Sequence, residues 1–213
     1  MAERRGITLA VTGAGGTRMA RFVLEALVKD DRVGRIDLMV SQAGRKLVAY
    51  ETGRDASGDA AELVLGARPA VDKVVEWDPE DLNGGPTSGS YPTWGMLVVP
   101  CALGVVGRVA NGTANTLIER AADVTLKERR PLVLCVRETP FNLIHLRNLT
   151  QVAEAGGVVY PMIPTFYNLP QTVDQFYEEF TARLLAFIGL PQTDYYTYSG
   201  AESPAHHDRA GLR

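Results

Sequence analysis

The chain has 213 residues, of which 46% are hydrophobic and 22% charged, and its formal net charge is −3. That composition supports one sizeable core in a single globular unit, and the slight acidic excess argues against a surface that neutralises nucleic-acid phosphates. No window reaches the roughly 18 apolar residues of a membrane helix, and the start MAERRGITLAV runs from two arginines into a strand without a cleavage pattern. Cys101 and Cys135 show no C-x-x-C spacing, so a cytoplasmic protein with neither export nor membrane insertion is expected.

In chain order, strand-like runs alternate with helical ones. GITLAVTG precedes a helix over 17–29, RIDLMVS precedes a helix over 42–51, and MLVVPC, LVLCVRE and GVVYP are further strands. This alternation implies crossover connections and a mostly parallel sheet in an α/β fold. The nearly continuous apolar strands are those of a sheet covered by helices on both faces. Residues 83–92, NGGPTSGSYP, read as a surface loop. A helix over 113–129 turns Leu117, Ala121, Val124 and Leu126 toward a core, and another over 172–188 carries Phe176, Phe180, Leu184 and Phe187 on one face and stops before Gly189 and Pro191. We expect one domain over 1–192 and a flexible tail or intersubunit arm over 193–213.

The first strand ends in TGAGGTR, which sets Gly13, Gly15 and Gly16 where backbone N–H groups at a helix start can approach an anion. A small phosphate site and a merely tight turn both satisfy this pattern. The dinucleotide fingerprint is incomplete, because Arg18 stands where the third glycine belongs and Asp37 lies too early in the second strand. Ser41 offers a hydroxyl to a flavin or phosphate, or an N-cap to the next helix. Arg120 and Lys127 lie two helical turns apart, about 10 Å along the axis, so they can flank one ligand; alternatively Lys127 pairs with Asp123 and Arg120 lies on a solvated face.

Arg137 and Glu138 close a buried strand, the place where open α/β sheets gather their ligands. Thr139-Pro140 reads as an N-cap followed by proline at the first helical position, which adds positive potential beside the pair. A phosphate dianion bound there would favour the protonated form of Glu138 and make it a proton carrier. In YPMIPTFYNLPQ the prolines stiffen a loop that displays Tyr167, unless Phe166 and Tyr167 only pack. Arg183 needs an anion if half-buried and nothing if solvated. His145 reads as a core histidine; with His206 and His207 it forms no ligand set at metal spacing, so no metal is expected. No G-x-S-x-G element appears.

The blocks ANGTANTLIERAADVTLKERRPLVLCVRETPFNLIHLRNL, AEAGGVVYPMIPTFYNLPQ and ITLAVTGAGG resemble the UbiX-type flavin prenyltransferases over most of the chain. The resemblance implies a Rossmann-like or flavodoxin-like three-layer sandwich in a homo-oligomer, typically a dodecamer, with active sites where subunits meet. It further implies that reduced FMN is alkylated by dimethylallyl phosphate without a metal, the prenylated FMN passing to a partner decarboxylase. Carried over by position, Gly13, Ala14, Gly15, Ser41, Ala102, Leu103, Gly104, Val105 and Arg137 hold FMN. Arg120, Lys127, Glu138, Tyr167 and Arg183 hold the prenyl phosphate, with Glu138 the proton donor to the leaving group and Glu51 a proton acceptor near the flavin.

Three departures from the family pattern stand out. Gly15 and Ala102 replace serines, and the aromatic expected near Leu82 is missing, the tryptophans being Trp77 and Trp94. The competing readings are a flavin-dependent decarboxylase of the cysteine-peptide type and a non-catalytic flavin carrier. The length of the prenyl donor, and whether it is a monophosphate or a diphosphate, stay open.

Overall fold

Runs such as Leu9, Ala10 and Val11 or Leu38, Met39 and Val40 are apolar at every position and fully buried, as strands sandwiched between helices must be. In the computed structural model, which describes residues 5–166 and 168–192, they fall in β1 (Arg5–Val11) and β2 (Val33–Val40), joined by α1 (Arg18–Lys29). There follow α2 (Gln42–Thr52), α3 (Ala60–Leu65), β3 (Val74–Trp77), β4 (Gly95–Cys101), α4 (Leu103–Ala110) and α5 (Leu117–Lys127). The remaining elements are β5 (Leu132–Val136), α6 (Leu143–Glu154), β6 (Val158–Val159) and α7 (Val173–Phe187).

All six strands are parallel, in the order β3-β2-β1-β4-β5-β6. This is a flavodoxin-like, Rossmann-like α/β sandwich. The order reverses between β1 and β4, which opens a crevice at their carboxyl ends. Strand alternation assigns the two faces: Ala10, Met39, Met96, Val98, Leu132 and Leu134 pack in one cluster with α4, α5 and α6, while α1 packs on β2, β4 and α3.

The chain divides into two compact units, Met1–Pro164 and Thr165–Arg213, so the division falls in the proline-rich stretch before α7. The second unit is organised by α7, whose capping box pairs Thr172 with Gln175. Phe180 and Leu184 are buried there, but Phe187 is 55% exposed and leaves the predicted apolar stripe. The expected tail over 193–213 lies outside the described residues.

Several boundaries differ from the sequence reading. α5 starts at Leu117 because Thr116 and Glu119 form a capping box. Elements α3, β3 and α4 were not anticipated. The 83–92 segment is more ordered than a solvated loop: Pro86 is buried in a short 3-10 turn. Tyr91 reaches Asp37, a fully buried carboxylate that accepts from the Tyr91 hydroxyl at 2.7 Å, Trp77 Nε1 at 3.0 Å and Arg35 Nε at 3.1 Å. Burial first, then the Asp37 hydrogen bond and charge, push the Tyr91 phenol well above its ordinary range. Asp37 therefore anchors the loop to the sheet, which explains a strand carboxylate that fits no dinucleotide motif.

Candidate functional site

The crevice is built from four strand ends. Thr12, the first residue after β1, is buried; its Oγ1 donates to the Pro100 carbonyl at 2.8 Å and accepts from Ala102 N at 2.8 Å. One hydroxyl thus ties the end of β1 to the start of α4. Residues 103–105 form the first turn of that helix rather than a free turn, and the Leu103 and Val105 side chains enter the core. Any ligand contact from this segment is therefore through the backbone N–H groups of Leu103 and Gly104, which a helix start leaves without intrahelical partners and which the Ala102 side chain does not cap, while Val105 N donates to the Ala102 carbonyl at 2.9 Å.

Gly13 and Gly15 face different constraints. A Cβ on Gly13 would lie 2.6 Å from Ala43 Cβ, at the first turn of α2. A Cβ on Gly15 would lie 1.9 Å from Arg137 Nη2. The Arg137 guanidinium fills that space and its Nε donates to the Gly15 carbonyl at 3.1 Å. Ser41 caps α2, accepting from Gly44 N at 3.0 Å. The hydroxyl proton stays available to an acceptor, so the two readings of Ser41 are compatible.

The segment between the glycine turn and α1 is engaged by a side chain. Glu51 accepts from Gly16 N at 2.9 Å, from Thr17 N at 2.9 Å and from Thr17 Oγ1 at 2.6 Å. The amides of Gly16 and Thr17, the two residues before α1, are therefore committed to a carboxylate of the chain. Ala14 N likewise donates to the Thr12 carbonyl at 2.9 Å, which leaves the Gly13 and Gly15 backbone, Ser41, Arg137 and the start of α4 as the other polar groups of this crevice. Glu51 stands beside the turn, bonded to the two residues that lead into α1, a contact that the sequence did not announce.

Arg137 and Glu138 follow β5 onto the same edge of the sheet; Thr139 N donates to Glu138 Oε1 at 3.0 Å. The next helix starts later than read: Asn142, not Thr139, caps α6, and Pro140 precedes the helix. His145 is half-exposed and completes the capping box with Asn142, so it is not a core histidine. Phe141, Leu143, Ile144 and Leu146 stand 40–66% exposed just beyond Glu138.

The α5 cations are disposed differently. This helix runs from the carboxyl edge, where Leu117 N donates to Pro79 O, back to the amino edge, where Arg130 Nη2 donates to Gly89 O at 2.7 Å. Lys127 lies at that far edge beside Gly89 and pairs with Glu128, not with Asp123. Asp123 instead takes Arg120, at 2.6 Å. Within one chain Lys127 and Glu138 thus occupy opposite edges of the sheet. Arg183 is in the second unit, half-buried one turn after Glu179. Burial pushes the Glu179 carboxyl up against the opposing effects of Arg183 and Asn168. Tyr167 lies outside the described residues.

Fold and crevice define an α/β protein whose strand ends are shaped for a phosphate-bearing ligand. The flavoprotein family matches residues 1–178. The flavin prenyltransferase UbiX of Pseudomonas aeruginosa is 40% identical over 192 residues, covering 87% of this chain and 90% of that protein. AnUbiX (PadA1), solved in complex with FMN and dimethylallyl pyrophosphate, superposes with a TM-score of 0.82 at 34% identity over 94% of this chain and 100% of that one. A dodecameric FMN-dependent UbiX-like decarboxylase from Escherichia coli O157:H7 gives 0.81 at 32% identity, over 92% and 100%. The chain belongs to the flavoprotein family and, within it, to the UbiX flavin prenyltransferases. Among the described residues, no helix is long and apolar enough to cross a membrane.

Proposed function

We propose that the protein is a flavin prenyltransferase that transfers a dimethylallyl group from dimethylallyl phosphate to reduced FMN. The observation that carries this reading is the gathering of Gly13, Gly15, Ser41, the uncapped start of α4 and Arg137 at the β1/β4 crevice with Glu138 next in the chain. The donor set fits FMN: amides and a guanidinium for the phosphate, and a glycine pair that lets backbone approach the ligand. Bound there in its reduced form, FMN supplies the electron-rich ring that accepts the prenyl group.

Cleaving the allylic C–O bond builds negative charge on the departing phosphate. Fixed cations stabilise that charge, and an acid neutralises it by protonation. Glu138 is assigned the proton transfer, and Lys127, Arg120, Arg183 and Tyr167 the phosphate. Glu51, held beside the turn by Gly16 and Thr17, accepts the proton released as the new ring closes.

Because Lys127 and Glu138 lie on opposite edges of one subunit, a complete site takes them from different subunits of a homo-oligomer, a dodecamer on this reading. The exposed apolar group at Phe141, Leu143, Ile144 and Leu146 supports such association beside Glu138. The prenylated flavin is then handed to a decarboxylase. The test is anaerobic incubation with reduced FMN and dimethylallyl phosphate. A flavin heavier by one prenyl unit, with phosphate released, supports transfer; tight FMN binding without turnover refutes it in favour of a carrier.

A further inference from the structure

The stretch that leads into α7 is fastened to that helix at two points. Gln175 Oε1, in the first turn, accepts from Gln171 N at 2.6 Å and from Thr172 N at 3.3 Å. Asn168 makes the other link: its side-chain oxygen accepts from Thr165 Oγ1 at 3.3 Å, and its amide is hydrogen-bonded to the Glu179 carboxylate. Between the two links Leu169 is held at φ +49, a left-handed conformation that residues other than glycine keep only where the surroundings impose it. Arg183 follows Glu179 one turn later on α7. All these residues lie within the second unit.

Glu179 is half-buried, and its Oε1 is buried without a hydrogen-bond partner among the described residues. Desolvation is the first influence on this carboxyl, and the charge of Arg183 and the Asn168 hydrogen bond oppose it. A side chain that only filled this space would be better apolar. The two groups that offset the cost are also the two that Glu179 can place. Asn168 is next in the chain to Tyr167, and Arg183 lies at i+4, on the same face of the helix. A guanidinium carries five N–H donors in a planar fork, so one edge can rest on Glu179 while another meets a phosphate.

We propose that Glu179 is a positioning residue of the prenyl-phosphate site: it orients Arg183 from one turn earlier on α7 and, through Asn168, fixes the loop next to Tyr167. The proposal rests on the reading of Arg183 and Tyr167 as groups that hold the prenyl phosphate. Glu179 itself touches no substrate.

The test is calorimetric titration of the full-length oligomer, loaded with oxidised FMN, with isoamyl phosphate, a saturated relative of the donor that has no allylic bond to break. E179M removes the carboxylate at nearly constant size and weakens binding roughly fivefold. N168A cuts the link to the loop, weakens binding roughly threefold, and takes the place of E179M if that variant does not fold. E179Q keeps an acceptor for both partners and stays within about twofold of wild type. FMN affinity is unchanged in all three. R183Q, the reference variant, loses roughly tenfold, and in its background E179M adds no more than about twofold, because it acts mainly through Arg183. Wild-type affinity in both E179M and N168A, or a loss from E179M that is undiminished in R183Q, overturns the proposal and leaves the phosphate reading of Arg183 intact. Wild-type affinity in R183Q overturns that reading, and the positioning role with it.

Discussion

Replacing Thr12 by valine tests whether the β1–β4 tie positions the crevice. Valine keeps the shape of threonine and removes the hydroxyl, which loses the 2.8 Å bond to the Pro100 carbonyl and leaves the Ala102 amide without its 2.8 Å acceptor. Pro100 O keeps the Thr12 amide at 3.3 Å, so the amide of Ala102 bears the larger loss. Two hydrogen bonds of about 1 kcal/mol each and one poorly satisfied half-buried donor amount to about 2–4 kcal/mol. For a chain of this length that lowers Tm by roughly 4–16 °C. Because Ala102 precedes the helix start assigned to the flavin phosphate, FMN Kd rises about tenfold, or 1.4 kcal/mol. Thr12→Ser restores both, since it returns the hydroxyl. The assays are thermal unfolding and FMN titration on T12V and T12S. Wild-type FMN affinity in T12V, whatever its Tm, would refute the positioning argument and leave Thr12 a structural tie only.

Gly13→Ala destabilises the protein by about 1–3 kcal/mol because its Cβ meets Ala43, whereas Gly15→Ala displaces only the mobile end of Arg137; Tm of G15A stays near wild type while its FMN affinity falls several-fold. Asp37→Asn keeps an acceptor for Trp77 and Tyr91 but turns an amide NH2 toward Arg35 Nε, and denaturant unfolding should show a loss of about 2–4 kcal/mol. Burial tends to raise the Glu119 carboxyl, but hydrogen bonds from Thr116 and Arg108 outweigh it and hold the carboxyl below the ordinary value. With the folded pKa depressed, its stabilisation is full above the unfolded value and disappears as pH falls through the folded one. The stability gap between wild type and Glu119→Gln, about 1–3 kcal/mol, is therefore widest at neutral pH and closes below about pH 4. A gap that persists unchanged at acid pH contradicts this.

The strands of the central sheet could be read from the sequence because burial on both faces makes them continuous apolar runs, and the places of Gly13, Gly15 and Arg137 because each follows such a run. What escaped was set by contacts distant in sequence. β3 is a short edge strand whose Glu76 turns away to cap α3, accepting from Ala60 N and Ala61 N. No local pattern around Glu51 says that it holds Thr17, just before α1, from 34 residues away. α4 hid in LGVVGRVA, where two glycines and an apolar run mask the helical period. Thr12 looked like any strand-end threonine. The α5 cations were legible as a pair, but not that their helix carries Lys127 to the sheet edge away from Glu138, since direction along a helix becomes position only once the sheet is assembled.

The central claim is that Lys127 and Glu138 act together from different subunits, and subunit mixing tests it most directly. Lys127→Gln and Glu138→Gln are each expected to bind FMN without forming prenylated flavin. Co-expressed and purified through two tags, a random mixture restores up to roughly a quarter of the wild-type rate, because that fraction of sites draws both intact residues. Mixed oligomers as inactive as either parent would contradict a site shared between subunits.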